Sequence, residues 1–524
     1  MIVWCFLTPA IAQDSAKKLK APKRDVSEEF FSSGRIPHVR IQLDATNLTA
    51  LKKDNRKYAR CTVGDGETVY NDVGIHLKGA AGSFRGLDDR PALTLNFDKF
   101  IDEQKFQGMD KLHLNNSVQD PSYMTEIICG EMFRAADVPA PRGTYARVEL
   151  NGRDLGLYVL KEGFDKTFLK RYFKNNKGNL YDAGFIKEIT EPLEKDSGEG
   201  VNDHSDLKAL AKAAQEQDPN TRFQKLREVL DVERFISFLG MEVMTWHWDG
   251  YSLNKNNYRV YHEPDANKIV FLPHGMDQMF WDPNGPIRPN FQGLVAQALV
   301  QTPEGRQRYR ARFGELYTNV FKVAALTNRV NELQARLRPA LASINPNAAK
   351  EHDGQANRLR DLIVQRAASL ERQLNAPEPK PLAFDSSGQS RIKNWQIQND
   401  SGSATLDKAS DSGKETLHIL ANGQAIASWR AKVLLDAGKY RLVGNVRTAG
   451  LAAMKDAKGE GAGLRISGSQ EARANHAKGD TSWKELQYEF RVPGQDEITL
   501  IAEVRATGGE AWFDLASLKL VKVQ

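Results

Sequence analysis

Three prolines within five positions, in Asn375-Ala-Pro-Glu-Pro-Lys-Pro381, cannot continue a helix, so they read as a linker between two stretches of different pattern. At 524 residues more than one hydrophobic core is expected in any case. Before the prolines, residues 303–341 and 355–374 carry Leu among Arg, Glu and Gln at helical spacing. After them the period changes to two. Thr416 to Leu420, Ser428 to Leu435, Tyr440 to Val446, Leu486 to Val492 and Ile498 to Val504 are short alternating runs punctuated by Gly, Asp and Asn. The expected fold class is therefore α+β: a mixed domain over 36–374, a linker at 375–382, and an antiparallel β-sandwich of jelly-roll or galactose-binding-like type over 383–524.

Within the mixed domain, the spacing predicts a polar tail over 13–35 and then strands at His38 to Leu43, Tyr58 to Val63, Asp72 to Leu77 and Ala92 to Phe97. A helix is expected from about Pro121 to Ala136, capped by Asp120 or Ser122. A hairpin follows across Asn151-Gly152, from Tyr145 to Leu160. Strands, one helix and a hairpin resemble the small lobe of a kinase-like fold, about 36–163. A larger helical lobe is expected over 164–374, with helices at Asp165 to Phe173, Ser205 to Gln215, Arg222 to Leu230 and Val232 to Trp246, and an acidic loop at Asp196 to Gly200.

The last of these helices leads to Asp249 and Asn254, whose D-x-x-x-x-N spacing matches the base and the metal-binding amide of kinase catalytic loops. A hairpin from Tyr258 to Leu272 returns the chain to Asp277, where a second, metal-chelating aspartate would stand. Phosphoryl transfer needs little covalent help beyond such groups: a carboxylate to orient the acceptor, and oxygen ligands to hold magnesium on the phosphates. The segment His76 to Gly86 adds three glycines, Ser83, Lys78 and Arg85, which suit phosphates; its alternative is a surface hairpin. Arg90 is a further cation at the entry of a strand. Glu126 or Glu131 could orient a phosphate-contacting cation, and Lys161-Glu162 sits where a nucleotide base would reach the join between lobes. His247 and His274 lack the i, i+4 spacing of a zinc helix, and neither a P-loop nor a G-x-S-x-G elbow occurs.

A formal charge of +6, from 73 basic and 67 acidic residues, offers no dense basic tract for a nucleic-acid partner. The apolar residues 1–12 end in a small-x-small pattern and read as the end of a secretory signal, so an exported protein without a transmembrane segment is expected. Cys61 and Cys129 read as two buried free thiols, with a single Cys61–Cys129 bridge in an oxidising compartment as the alternative.

Taken in order, the motifs of about 36–372 resemble the spore coat protein H (CotH) family of atypical kinases. The resemblance rests on Lys78-Gly79 with Ser83 and Arg85, and on Phe106-x-Gly108-x-x-Lys111-Leu-x-Leu114-Asn115-Asn116. It continues through Asp120-Pro-Ser122, Val138-Pro-Ala-Pro141, Leu150-Asn-Gly152-x-x-x-Gly156-Leu-Tyr158 with Glu162, then Asp249 with Asn256-Asn257-Tyr258, and Asp277. It implies transfer of the ATP γ-phosphate, with Mg2+ or Mn2+, to Ser or Thr hydroxyls of a protein substrate. In that setting Asp249 is the catalytic aspartate, Asp277 binds metal, and the metal-binding amide is Asn254 or Asn257. Lys78, Ser83, Arg85, Arg90, Glu126, Lys161 and Glu162 are the ATP-binding candidates. Two departures stand out: Arg90-Pro91 replaces a lysine, and His274-Gly-Met-Asp277 replaces Asp-x-Asp with the loss of one carboxylate. The alternative is a non-catalytic envelope or surface assembly protein with a kinase-like fold. The closing stretch Glu510 to Leu520 looks like carbohydrate-binding modules, in which Trp395, Trp429, Trp483 or Trp512 could stack on sugar rings, with core positions expected for at least two of them.

Overall fold

The computed structural model describes residues 25–523 apart from 456 and 470. The apolar stretch 1–12 and most of the polar tail therefore lie outside the described residues.

The first part of the chain builds a closed barrel. Its elements are α1 (Val26–Ser32), β1 (His38–Gln42), α2 (Ala45–Lys53), β2 (Ala59–Asp65), β3 (Thr68–Lys78), β4 (Ala92–Asn96), β5 (Lys111–Asn115), α3 (Thr125–Ala135), β6 (Gly143–Leu150) and β7 (Arg153–Glu162). The strand order is β1-β2-β3-β4-β5-β7-β6, closed by the parallel pairing of β1 with β6. Alternation sends Ile75, Leu77, Leu93, Leu95, Leu112, Leu114 and Leu160 inward to one core. Closure leaves no free sheet edge. The expected tail ends earlier than residue 35: Asp25 caps α1, and its Phe30 packs edge-on against Phe106 of the barrel core. Strand β5 and helix α2 went unpredicted, both being short and weakly periodic.

The second part contains α4 (Lys166–Tyr172), β8 (Leu180–Asp182), β9 (Glu194–Ser197), α5 (Ser205–Ala214), α6 (Pro219–Val229), α7 (Val232–Met244), α8 (Tyr251–Asn254), β10 (Tyr258–Glu263), β11 (Lys268–Pro273), α9 (Leu294–Val300), α10 (Pro303–Asn319), α11 (Val323–Ile344) and α12 (Pro346–Asn375). A four-stranded sheet has the order β11-β10-β8-β9, and the expected acidic loop supplies its edge strand β9. Helix α12 starts about ten residues before the expected position because Asn345 caps it and Pro346 fits its first turn. Helix α3 belongs to this second core through Ile127, Ile128, Met132 and Phe133. Cys61 and Cys129 are buried and free.

The third part is all antiparallel: β12 (Gln389–Arg391), β13 (Gln396–Asp411), β14 (Lys414–Leu435), β15 (Gly438–Ala453), β16 (Gly461–Ile466), β17 (Gly479–Val492), β18 (Asp496–Asp514) and β19 (Lys519–Val523). The expected short runs merge into long strands that change partners at irregularities. One half of β15 pairs with β19 and the other with β18, with register shifts beyond Val446. The network thereby folds over a core of Leu417, Ile419, Trp429, Leu442, Leu464 and Phe513.

The proline linker does not leave this unit loose. The turn 493–497 packs on the helical part. Arg222 donates to the Pro493 carbonyl (3.2 Å), the Gln495 amide to the Gln301 carbonyl (2.9 Å), and Arg288 pairs with Glu497 (2.7 Å). Gly494 is required there, since a Cβ would come within 2.6 Å of the Gln301 carbonyl oxygen.

Candidate active site

The outer face of the barrel opposite β10–β11 carries polar side chains in cross-strand rows. His76, Thr94, His113 and Lys161 pair in register across β3, β4, β5 and β7, and Lys78 lies two residues beyond His76 on the same face. A continuous network runs through this face. Lys78 Nζ donates to Asn115 Oδ1, and Asn115 Nδ2 donates to Glu126 Oε2 at 3.3 Å. Lys161 Nζ donates to Glu126 Oε1 at 2.5 Å and lies 3.3 Å from His274 Nδ1. An ammonium has only protons to give, so His274 Nδ1 is the acceptor and its Nε2 carries the hydrogen. Helix α3 presents Glu126 here because Asp120 collects its first amide: Oδ2 accepts from the Thr125 N–H at 3.0 Å.

Burial drives the electrostatics of this cluster. It pushes the Lys78 ammonium down to about 7, helped by repulsion from Lys161. It pushes the Asp277 carboxyl up to about 7, with Glu126 adding repulsion and Lys78 opposing it. Both His113 and His274 are held well below the usual histidine range by burial and then by the neighbouring lysines, and are neutral. Burial works against the Glu126 carboxylate, but Lys161 holds its pKa low.

Asp249 lies at the far side, in the turn between α7 and α8. Three asparagine amides hold its carboxylate: Asn254 Nδ2 at 2.6 Å from Oδ1, Asn256 Nδ2 at 3.1 Å from both oxygens, and Asn257 Nδ2 at 2.7 Å from Oδ2. The cage requires unusual backbone. Trp246, Lys255, Asn257 and Phe280 all have φ between +47° and +58°, a region bulky side chains occupy at a cost of about 1–2 kcal/mol each. Gly275 is also left-handed, and a Cβ there would come within 2.4 Å of Asn257 Oδ1, so the Asp249 and Asp277 turns touch at this point.

The structure thus brings Lys78, Glu126 and Lys161 together beside Asp277, and Asn254 and Asn257 onto Asp249. It places the others elsewhere. Ser83 Oγ accepts from the Ala80 amide within its own loop. Arg85 donates to the Gly82 and Phe84 carbonyls, and lies 3.5 Å from Asp89. Arg90 packs on Tyr158 and donates to Tyr123 and the Leu157 carbonyl. Glu162 follows Lys161 in a strand, so it faces the other way, into Arg142 (2.9 Å) and Arg171 (2.7 Å). Glu131 pairs with Arg329. Sequence reading missed His113 and Thr94 and gave the motif residue Asn115 no role; the unpredicted strand β5 hid the relation of His113 to Asn115, and alternation along it would have placed them on one face.

For a divalent metal, the available donors are hard oxygens. Among the described residues no group donates a hydrogen bond to the Asp277 carboxylate, which leaves both oxygens open. Asn254 and Asn257 turn their NH2 groups to Asp249, so their amide oxygens are the atoms that could serve a cation. This donor set fits magnesium.

In the C-terminal sandwich, Trp395 and Trp429 are core residues. Trp512 is flanked on both faces, by the stacked His418 ring at 5.1 Å and by Arg447 at 4.6 Å, its register partners on β14 and β15. It therefore offers no bare face to a sugar ring. Trp483 is half-exposed, with Lys414 at 4.8 Å.

The family profile described as CotH kinase protein matches residues 75–370, more than half of the chain and all of the site above. Invasin CotH2 of Rhizopus delemar is 25% identical over 262 residues, 44% of each chain. Inner spore coat protein H of Bacillus subtilis is 22% identical over 267 residues, 46% of this chain and 71% of that protein. This chain thus aligns with less than half of the invasin's own length. Among solved structures, the xylan-binding CBM22-1 domain of Paenibacillus barcinonensis Xyn10C is 17% identical to 28% of this chain, covers 99% of that domain and has a TM-score of 0.20. With the matched span enclosing the Lys161–Glu126 pair, caged Asp249 and open Asp277, the chain belongs to the CotH kinase protein family.

Proposed function

We propose that this protein transfers the γ-phosphate of ATP to Ser or Thr hydroxyls of exported or surface proteins. The observation that carries the reading is the meeting of two aspartate turns, caged Asp249 and open Asp277, beneath the buried Lys161–Glu126 pair. Asp249 orients the acceptor hydroxyl and takes its proton, and the three amides keep that carboxylate aimed. Lys78 and Lys161 face the phosphates, with Glu126 fixing the Lys161 ammonium. Asp277, with the Asn257 or Asn254 amide oxygen, would hold Mg2+, which supplies charge neutralisation at the β- and γ-phosphates when bound. The Arg85 and Arg90 guanidiniums would reach nucleotide only by leaving the partners described above.

The test is incorporation of labelled γ-phosphate into a Ser-rich substrate or the protein itself, with magnesium or manganese. Loss in both Asp249→Asn and Asp277→Asn, with nucleotide still raising the melting temperature of Asp249→Asn, supports the reading. The second reading, a non-catalytic assembly protein, is favoured by the missing carboxylate at His274-Gly-Met-Asp277. It predicts no incorporation and no nucleotide-induced stabilisation. The names of the relatives, an invasin and a spore coat protein, support a role outside the cytoplasm, and no described helix is long and apolar enough to cross a membrane. We assign glycan or surface attachment to the sandwich, with half-exposed Trp483 as its one candidate stacking ring among the four tryptophans considered; binding to insoluble polysaccharide, lost in Trp483→Ala, tests it.

A further inference from the structure

Behind the two aspartate turns, near the end of α7, stands Glu242, wholly excluded from solvent. Its Oε1 accepts from the Tyr251 amide at 3.0 Å and its Oε2 from the Ser252 amide at 2.8 Å, the two residues that follow Asp249-Gly250. Its Oε1 also lies 3.6 Å from Nδ1 of buried His247, an ion pair rather than a hydrogen bond. The other ring nitrogen, Nε2, lies 3.1 Å from the carbonyl oxygen of Gly275, two residues before Asp277. A carbonyl only accepts, so that nitrogen carries a hydrogen, and the carboxylate favours a second one on Nδ1. Burial opposes the charge on the ring, but Glu242 raises its pKa above the usual value.

The backbone is shaped around this pair. A Cβ on Gly250 would lie 2.4 Å from Glu242 Oε1 and 2.6 Å from His247 Nδ1, so only glycine fits between them and the Asp249 turn. The His247 amide donates to the Glu242 carbonyl at 2.7 Å, closing α7 directly onto the ring. Burying two ionisable groups costs several kcal/mol before compensation, and an apolar side chain at 242 would leave the Tyr251 and Ser252 amides without an acceptor. What offsets that cost is contact with both turns at once, through the Tyr251 and Ser252 amides on one side and the Gly275 carbonyl on the other.

We propose that Glu242 and His247 are a positioning pair that holds the Asp249 turn and the Gly275–Asp277 turn at one spacing, and so sets the rate of transfer without contacting nucleotide. This rests on the kinase reading for its rate consequence and on geometry alone for the clamp. Glu242 fixes the Asp249 side through two amides, His247 fixes the Asp277 side through one carbonyl, and their mutual attraction joins the two. Small misplacements of reacting groups cost large factors in rate.

The experiment uses the full chain and four variants, Glu242→Gln, His247→Leu, His247→Gln and the double Glu242→Gln/His247→Gln. With labelled ATP and magnesium, kcat should fall about tenfold or more in Glu242→Gln and His247→Leu, while KM for ATP stays within about twofold. His247→Gln, whose amide can still donate to the Gly275 carbonyl, should recover part of the loss. Hydrogen exchange, read on the same samples, should quicken at 249–256 and 273–277 and stay unchanged across the barrel. An unchanged kcat, a rise in KM alone, or unchanged exchange at both turns overturns the proposal. The double variant, without a buried charge, keeps the test open if a single variant folds poorly. If the wild-type chain transfers no phosphate, the kinase reading fails, and the exchange data still decide whether the clamp exists.

Discussion

Lys161 Nζ of β7 lies 2.5 Å from Glu126 Oε1 of α3, with both side chains almost entirely excluded from water. With the Asn115–Glu126 hydrogen bond, this contact ties the barrel to the core of the helical part, because α3 is packed into the latter. A buried pair broken on one side leaves an uncompensated charge, which costs about 3–5 kcal/mol. Glu126→Ala should lose stability of that order in urea unfolding, whereas Glu126→Leu with Lys161→Met should lose much less. Both should lose phosphate transfer, which separates the structural cost from the chemical one.

Glu162 is the contrasting case one residue on. It faces Arg142 and Arg171, away from Lys161 and Glu126. Glu162→Ala should cost about 3 kcal/mol in chemical unfolding while leaving KM for ATP within about twofold. A large KM effect without loss of stability would place Glu162 on the nucleotide after all.

Asp277 provides a pH test. Burial raises its folded pKa to about 7, well above the value near 3.9 expected in the unfolded chain. Between those values the folded state holds a proton that the unfolded state has lost, so stability falls as pH rises from about 4 to 7 and then levels off. Asp277→Asn removes that loss. Its stabilisation should be near zero at pH 4 and grow to at most about 4 kcal/mol at pH 8, followed as the difference in melting temperature. With Asp277 holding the cation as proposed above, magnesium-dependent transfer should rise around pH 7, where the folded-state carboxyl loses its proton.

Arg288 and Glu497 join the segment after Asp277 to the sandwich at 2.7 Å, each mostly buried. Reversing either charge should destabilise the chain by about 1–2 kcal/mol, and the double reversal should recover part of it in a double-mutant cycle. Equal losses in the single and double variants would show that the contact carries no coupling.

The features legible in the chain before folding are local. Proline density marked the division at 375–381, periods of two and 3.6 marked the hairpins and helices, and the order Asp249, Asn254, Asn257, Asp277 marked the aspartate turns. Alternation along β7 already implied that Lys161 and Glu162 could not serve one site. Tertiary structure alone decided the partners: Glu126 for Lys161, three asparagines for Asp249, and Glu242 with His247 behind them. It also decided barrel closure, through the parallel pairing of β1 with β6. The physical reason is common to all of these. Local steric preference and periodicity are written in neighbouring residues, but a buried charge chooses its partner only when desolvation removes water as the alternative. That happens once strands and helices distant in sequence have packed together.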